Sequence, residues 1–231
     1  MLVLLLHQHS KSIYTGAFAP FFFIYIMAIP TTNSASELPA VNQILQTVGQ
    51  APVTTLDQTN PDVAIAYDTL LQVSREVQSE GWTFNKEFNY PFSPDSNKEI
   101  LIPSNILQID LAREEPVSKN YDVVRRNKKL YDRRKHSFQW NTVMKCDVVW
   151  FFDWVDLPRP IQDYIVSRAA CFTVSRIVGD ANLYRMCQEK EAYMRAMALE
   201  YECNQGQFTF FGHPKDGNFY TSYEPYHALH R

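Results

Sequence analysis

Apolar residues recur at helical spacing at both ends of the chain's central part and at alternating spacing between them. Ser34-Ala-Ser-Glu37 has the spacing of a capping box. Behind it Leu38, Val41, Leu45 and Val48 follow one helical stripe, which Gly49 can end in the left-handed conformation. A second helix is predicted from Asn60 as N-cap and Pro61 at the first position. Its stripe is Val63, Ala66, Tyr67, Leu70, Val73, Ser74 and Val77, and Gly81 stops it. From Trp82 the texture changes: Pro91, Pro94 and Pro103 discourage helices, and β-branched and aromatic residues dominate. Strands are predicted at 99–102 and 106–111, with a hairpin of 121–124 and 129–131 about Asn127. The strongest strand pattern is 144–154, where Met144, Cys146, Val148, Trp150, Phe152 and Trp154 alternate with their neighbours. Helical spacing returns with Ile161, Tyr164, Ile165, Arg168, Phe172 and Ser175, stopped by Gly179. A fourth helix, capped by Asp180, has the stripe Leu183, Met186, Cys187, Lys190, Met194, Met197 and Tyr201.

The fold expected from this order is α+β: a helical bundle with a β-rich insertion, as a sheet or a small barrel, and an extended C-terminal segment. The expected divisions are 31–81 for the first helical pair, 82–155 for the insertion, 156–203 for the second pair and 204–231 for the C-terminal segment.

Composition suits this picture. Of the 231 residues 45% are hydrophobic and 20% charged, which excludes global disorder and permits a core without metals or disulfides. Cys146, Cys171, Cys187 and Cys203 form no C-x-x-C pair, so a zinc site is not expected and the thiols read as free. Net charge is −3, but residues 119–135 carry +6 and the remainder −9. A basic block on an acidic body marks an oriented surface.

The two ends do not fit a compact fold. Residues 1–30 begin with Met1-Leu-Val-Leu-Leu-Leu6 and contain an apolar run from Ala17 to Pro30. Fourteen residues at ~1.5 Å each fall short of a ~30 Å hydrocarbon core. The expectation is a start at Met27, with a signal peptide or a structural arm as the other readings. The last 24 residues hold seven aromatics among Gly, Pro, Asn and Ser, too apolar for a solvating tail and too aperiodic to fold alone.

Several collinear runs carry a family resemblance. Val41-Asn-Gln-Ile-Leu-Gln-Thr-Val-Gly49, Asn60-Pro-Asp-Val-Ala64 and Ser74-Arg-Glu-Val-Gln-Ser-Glu-Gly-Trp82 lead; Leu101-Ile-Pro-Ser-Asn105 and Lys129-Leu-Tyr-Asp132 follow. Asp156-Leu-Pro158, Tyr164-Ile165, Arg168-Ala-Ala170 and Val178-Gly-Asp180 complete the series. Over roughly 37–203 the chain resembles the tail tubular protein A family, the head-to-tail adaptors of T7-like short-tailed bacteriophages. The resemblance implies a structural virion protein with no catalytic residues and no cofactor. It implies a ring, with twelve subunits expected, between a portal protein and a tail nozzle of the tail tubular protein B kind. Genomic DNA would pass through it without sequence recognition. A tail fibre is a further partner, no membrane is expected, and assembly would occur in the host cytoplasm.

Three groups of residues are then candidates. Arg125, Arg126, Lys128, Lys129, Arg133, Arg134 and Lys135 would meet phosphates of channel DNA or an acidic patch on a neighbouring ring. The bland alternative is a solvated hairpin whose cations protect a sheet edge. Phe208, Phe210, Phe211, Tyr220, Tyr223 and Tyr226 would dock on portal or nozzle, against packing back on their own bundle. Arg75, Glu76, Glu80 and Arg168 would pair between subunits, against plain solvated helix faces. The alternative function is a tail-associated glycan hydrolase using paired carboxylates, with Asp110, Glu114 and Glu115 as candidates by proximity alone. No metal site is expected, and no G-x-S-x-G, H-E-x-x-H or phosphate-cradling glycine loop is present.

Overall fold

The computed structural model describes residues 34–112 and 121–206, with the backbone of 214–215 and 219–220. Among the described residues the chain is a mixed α+β protein of four α-helices and small antiparallel sheets. Helices α1 (Ser34–Thr47) and α2 (Pro61–Gln78) come first. Strands β1 (Lys86–Phe92), β2 (Ile106–Leu111), β3 (Val123–Arg126), β4 (Lys129–Asp132) and β5 (Met144–Trp150) follow. Helices α3 (Arg159–Ile177) and α4 (Ala181–Gly206) come next, then a short pairing of β6 (Pro214–Lys215) with β7 (Phe219–Tyr220).

Helix α2 forms as its sequence dictates. The Asn60 side chain accepts the Asp62 N–H at 3.0 Å, Pro61 opens the helix, and the whole expected stripe is buried. Thr69 and Gln78 are buried as well. Helix α1 departs from expectation at its start. Ser34 lies within the helix, and Glu37 faces inward. Glu37 stands four residues before Val41 and seven before Ile44, so it shares their buried face.

Helix α3 is the central helix, packed against α1, α2 and α4. This explains why its sequence has no single clean stripe: Ile161, Ile165, Val166, Ala169, Ala170 and Val174 are all buried, on several sides. Ser175, expected on the inner face, is exposed. Helix α4 touches the helical core along one narrow row. Cys187 and Ala198 are buried and Leu183, Met194 and Tyr201 half-buried. Met186, Lys190 and Met197, placed on the inner stripe from the sequence, are exposed. With one neighbouring helix, α4 can bury only the part of its apolar surface that meets α3.

In the main sheet β5 lies between β1 and β2, antiparallel to both, in the order β1-β5-β2. The pairing shifts between Glu87 and Tyr90, where Asn89 has φ +57° and its N–H bonds the Asp147 carboxylate at 3.0 Å. β1 was not foreseen, and 99–102 is held only by isolated bridges, Glu99 to Gln139 and Leu101 to Lys129. The β3–β4 hairpin turns at Asn127 and Lys128, both with positive φ (51° and 59°), the requirement of a type I′ turn. Phe92, Ile100, Ile102, Leu130, Trp140 and Cys146 belong to the core of this half.

Strand β5 ends at Trp150, four residues before its alternating pattern does. The cause is a buried amide. Gln78, at the end of α2, accepts the Phe152 N–H at 2.8 Å and donates to the Phe152 carbonyl at 3.2 Å. Asn85 donates to the carbonyls of Gln78 (2.8 Å) and Trp150 (2.9 Å), and the Phe151 N–H bonds Asn105 O at 2.7 Å. The backbone thus leaves the sheet to satisfy its polar groups against the helices. Phe152 packs on both the helical and the sheet cores.

Two stability predictions follow from this junction. Gln78→Ala leaves the Phe152 N–H and carbonyl without their partner. It should lower the unfolding free energy by roughly 3 kcal/mol in denaturant melts. Glu37 gives a pH dependence. Burial pushes its carboxyl up, the Tyr67 hydrogen bond pulls it down, and the charge of Asp153 raises it again, with a net upward direction. A carboxyl that binds its proton more tightly when folded adds stability that is full below the ordinary carboxyl range. That stability is lost as pH rises through the raised folded value. Glu37→Gln should therefore melt higher than the parent at pH 7 and converge with it near pH 4.

Candidate functional site

The basic segment is organised by the hairpin and by a buried carboxylate. Asp132, at the end of β4, accepts the Arg134 N–H at 2.9 Å and the Asp122 N–H at 3.4 Å. This fixes the turn that carries Arg133, Arg134 and Lys135 beside β3. The individual cations then differ. Lys129 pairs with Glu99 at 2.5 Å and Arg133 with Asp122 at 2.7 Å. Arg125 donates to the Ile106 carbonyl at 2.6 Å. Arg126 lies 4.3 Å from the Tyr131 ring centroid, and Lys135 lies 4.0 Å from that of Tyr121. Lys128 sits at the tip of the turn. All except the half-buried Lys129 are exposed.

Two of these charges are therefore matched by carboxylates, while Arg126 and Lys135 rest on aromatic faces. A cation–π contact orients a cation without neutralising it. The hairpin presents positive charge on a stiff support, and that geometry suits contact with polyanions or with an acidic protein surface.

The four helix charges divide differently. Arg168 on α3 reaches Glu76 on α2 at 3.5 Å and Glu80, in the turn just past α2, at 4.0 Å, and bonds the Tyr164 hydroxyl at 3.0 Å. Arg195 on α4 joins the same group, 3.4 Å from Glu80 and 2.8 Å from the Tyr164 hydroxyl. Three helices are thus stitched within one chain, and Arg195 was not foreseen. Its signal was available as a cation on the inner face of α4, but its partners lie more than thirty and one hundred residues away. Arg75 stands apart, 5.9 Å from the Phe151 ring centroid.

The six aromatic candidates of the C-terminal segment lie outside the described residues, except for the backbone of Tyr220 in β7. Among the hydrolase candidates, Glu114 and Glu115 also lie outside them. Asp110 is exposed on β2, and its carboxylate accepts the Leu111 N–H at 2.8 Å. A hollow of about 270 Å³ between α1 and α3 is lined by Pro39, Trp154, Val155 and Val166, not by Asp110. Among the described residues no three His, Cys, Asp or Glu side chains are grouped as metal ligands, and no helix is long and apolar enough to cross a membrane.

The two charged groups should separate in mutagenesis. Arg168→Ala breaks bonds to α2 and within α3 at a half-buried site and should cost about 1–2 kcal/mol in denaturant melts. Arg126→Gln and Lys128→Gln should stay within about 0.5 kcal/mol of the parent, leaving the hairpin open to tests of contact alone.

Comparison with known proteins agrees with the structural reading. The tail tubular protein family matches residues 38–208, which take in most of α1, the whole of α2, α3 and α4, and both halves of the core. Tail tubular protein A of Klebsiella phage KP34 is 26% identical over 170 residues, covering 73% of this chain and 88% of that protein. A match of that extent makes this a structural component of a phage tail and not an enzyme. The chain belongs to the tail tubular protein family.

Proposed function

We propose that this chain is the subunit of an adaptor ring that joins the portal to the tail nozzle and surrounds the path of the ejected DNA. In this reading the helices form a bundle and the strands an insertion carried on it. Twelve copies match the portal on one side and seat a tail tubular protein B-like nozzle on the other, with a tail fibre as a further neighbour. The subunits assemble in the host cytoplasm and remain in the virion tail. The observation that carries the reading is the hairpin: a chain of net charge −3 that exposes Arg125, Arg126, Lys128, Arg133, Arg134 and Lys135 on one hairpin and the turn beside it. Such a surface meets phosphates without reading sequence, and it lets DNA slide because each contact is weak and exchangeable. Residues 207–231, with Phe208, Phe210, Phe211, Tyr220, Tyr223 and Tyr226, serve as the docking arm toward portal or nozzle. Glu76, Glu80 and Arg168 pair first within the subunit, and their half-exposed edges, with Arg75, set register against a neighbour.

Electron microscopy of the purified protein, alone and with portal, tests the assembly. Closed rings that stack on portal are expected, and removal of 207–231 should leave the rings intact while abolishing stacking. The same rings should bind duplex DNA of any sequence, with affinity falling steeply as salt rises. Binding that is absent or insensitive to salt would remove the channel role of the hairpin.

A further inference from the structure

We infer that Cys171 and Cys187 are a thiol pair that small-molecule disulfides oxidise, tying α4 to α3 through a disulfide. The inference goes beyond the ring reading and does not depend on it. The two residues stand on neighbouring helices, on either side of the turn at Gly179. With Val174 they make a small apolar cluster apart from the two larger cores, and Val48, Leu183 and Tyr184 pack around it. The Cys171 S–H donates to the Cys187 sulfur and to the Glu191 carboxylate. Sulfurs in direct contact across two packed helices need only a short approach to reach the ~2 Å of a disulfide. Cys146 sits in the sheet core and Cys203 is exposed, so neither shares this cluster.

The pair is asymmetric. Cys187 is the more open of the two, 7% exposed against 2%. Burial pushes both thiols up, Cys171 to about 12. At Cys187 the bond accepted from Cys171 and the charge of Lys190 pull the other way and favour its thiolate. Cys187 is thus the attacking thiol and Cys171 the resolving one. The neighbours of Cys187 in the chain, Met186 and Gln188, are exposed, and α4 is packed along one row only. A small opening of the first turns of α4 therefore uncovers Cys187.

The exchange balances with oxidised glutathione as the oxidant. The Cys187 thiolate attacks one sulfur of the glutathione disulfide, whose S–S bond breaks. A mixed disulfide forms and one glutathione leaves as thiolate. Cys171 gives its proton to the adjacent Glu191 carboxylate and attacks the Cys187 sulfur, releasing the second glutathione. The protein loses two electrons and two protons, and both glutathiones end as thiols. A phage tail component is made where thiols stay reduced and works outside the cell, where disulfides persist. The pair stays open while the chain folds and closes after release. Fifteen residues lie between the two cysteines, so the link closes a short loop about the turn and fastens the start of α4.

The test uses the reduced full-length chain, kept folded with oxidised glutathione and then digested without reductant for mass spectrometry. Peptides joined through Cys171 and Cys187 are expected, with Cys146 free and Cys203 carrying glutathione. The thermal midpoint should rise by about 5 °C and return with dithiothreitol. Cys171→Ala should trap glutathione on Cys187, whereas Cys187→Ala should leave Cys171 unmodified, and neither variant should show the redox shift in midpoint. The parent's peptide map decides the pairing even where an alanine variant fails to fold. Free thiols at both positions under conditions that modify Cys203 would overturn the inference. Glutathione held on both, or either thiol joined to Cys146 or Cys203, would do the same. Glutathione trapped on Cys171 and not on Cys187 would overturn the assigned roles. Ring formation enters none of these readouts, so failure of the ring reading leaves the outcome unchanged.

Discussion

The structure depends on how the chain hands its backbone from sheet to helices. Between Trp150 and Phe152 the strand ends, and two buried amides replace the ladder that is lost. Gln78 closes a two-way bond with Phe152, and Asn85 ties Trp150 to the end of α2. A buried backbone amide costs more to leave unpaired than a bonded one contributes, so these side chains constrain geometry rather than simply adding stability. They fix the level at which the strands meet the helices. Trp82 reinforces the same place, with its indole N–H bonded to Val77 O at 2.7 Å. Glu202 does so from the far end of α4, accepting the Thr83 N–H and hydroxyl.

This junction gives the chain two unlike surfaces. On the strand side the β3–β4 hairpin carries cations held by aromatic rings, a bound carbonyl and two carboxylates. On the helical side α3 is enclosed by its three neighbours, while α4 is packed along one row only. An assembling subunit needs such a division. Helix α3 is enclosed by its neighbours, whereas the hairpin cations and the outer row of α4 are supported from beneath and bare above.

Helix α2 and the hairpin were legible in the sequence because short-range rules govern them. An N-cap with proline behind it, an uninterrupted stripe, and an Asn-Lys turn between short apolar runs are each decided within a few residues. The basic patch was legible as a local excess of charge, and the family resemblance as collinear runs along the chain. The errors have a common origin in partners distant along the chain. The stripe assigned to α4 mixed its inner row with Met186 and Met197, because periodicity reports which residues share a side and not how much of that side a neighbour covers. The end of β5 was set by Gln78, more than seventy residues earlier. β1 alternates Phe88, Tyr90 and Phe92 with polar residues and Pro91, but its pairing is interrupted at Asn89 and is completed by the edge that β5 offers.

By itself, then, the sequence determined the helices, the hairpin, the location of positive charge and the family. Each rests on interactions between residues close in the chain or on the order of collinear runs matched to the family as a whole. The tertiary structure alone decided that Glu37 faces inward, that Arg195 joins Arg168 and Glu80 around the Tyr164 hydroxyl, and that α4 keeps an apolar row in solvent. Burial and pairing are properties of surfaces brought together, and a linear pattern does not specify which surface arrives opposite another.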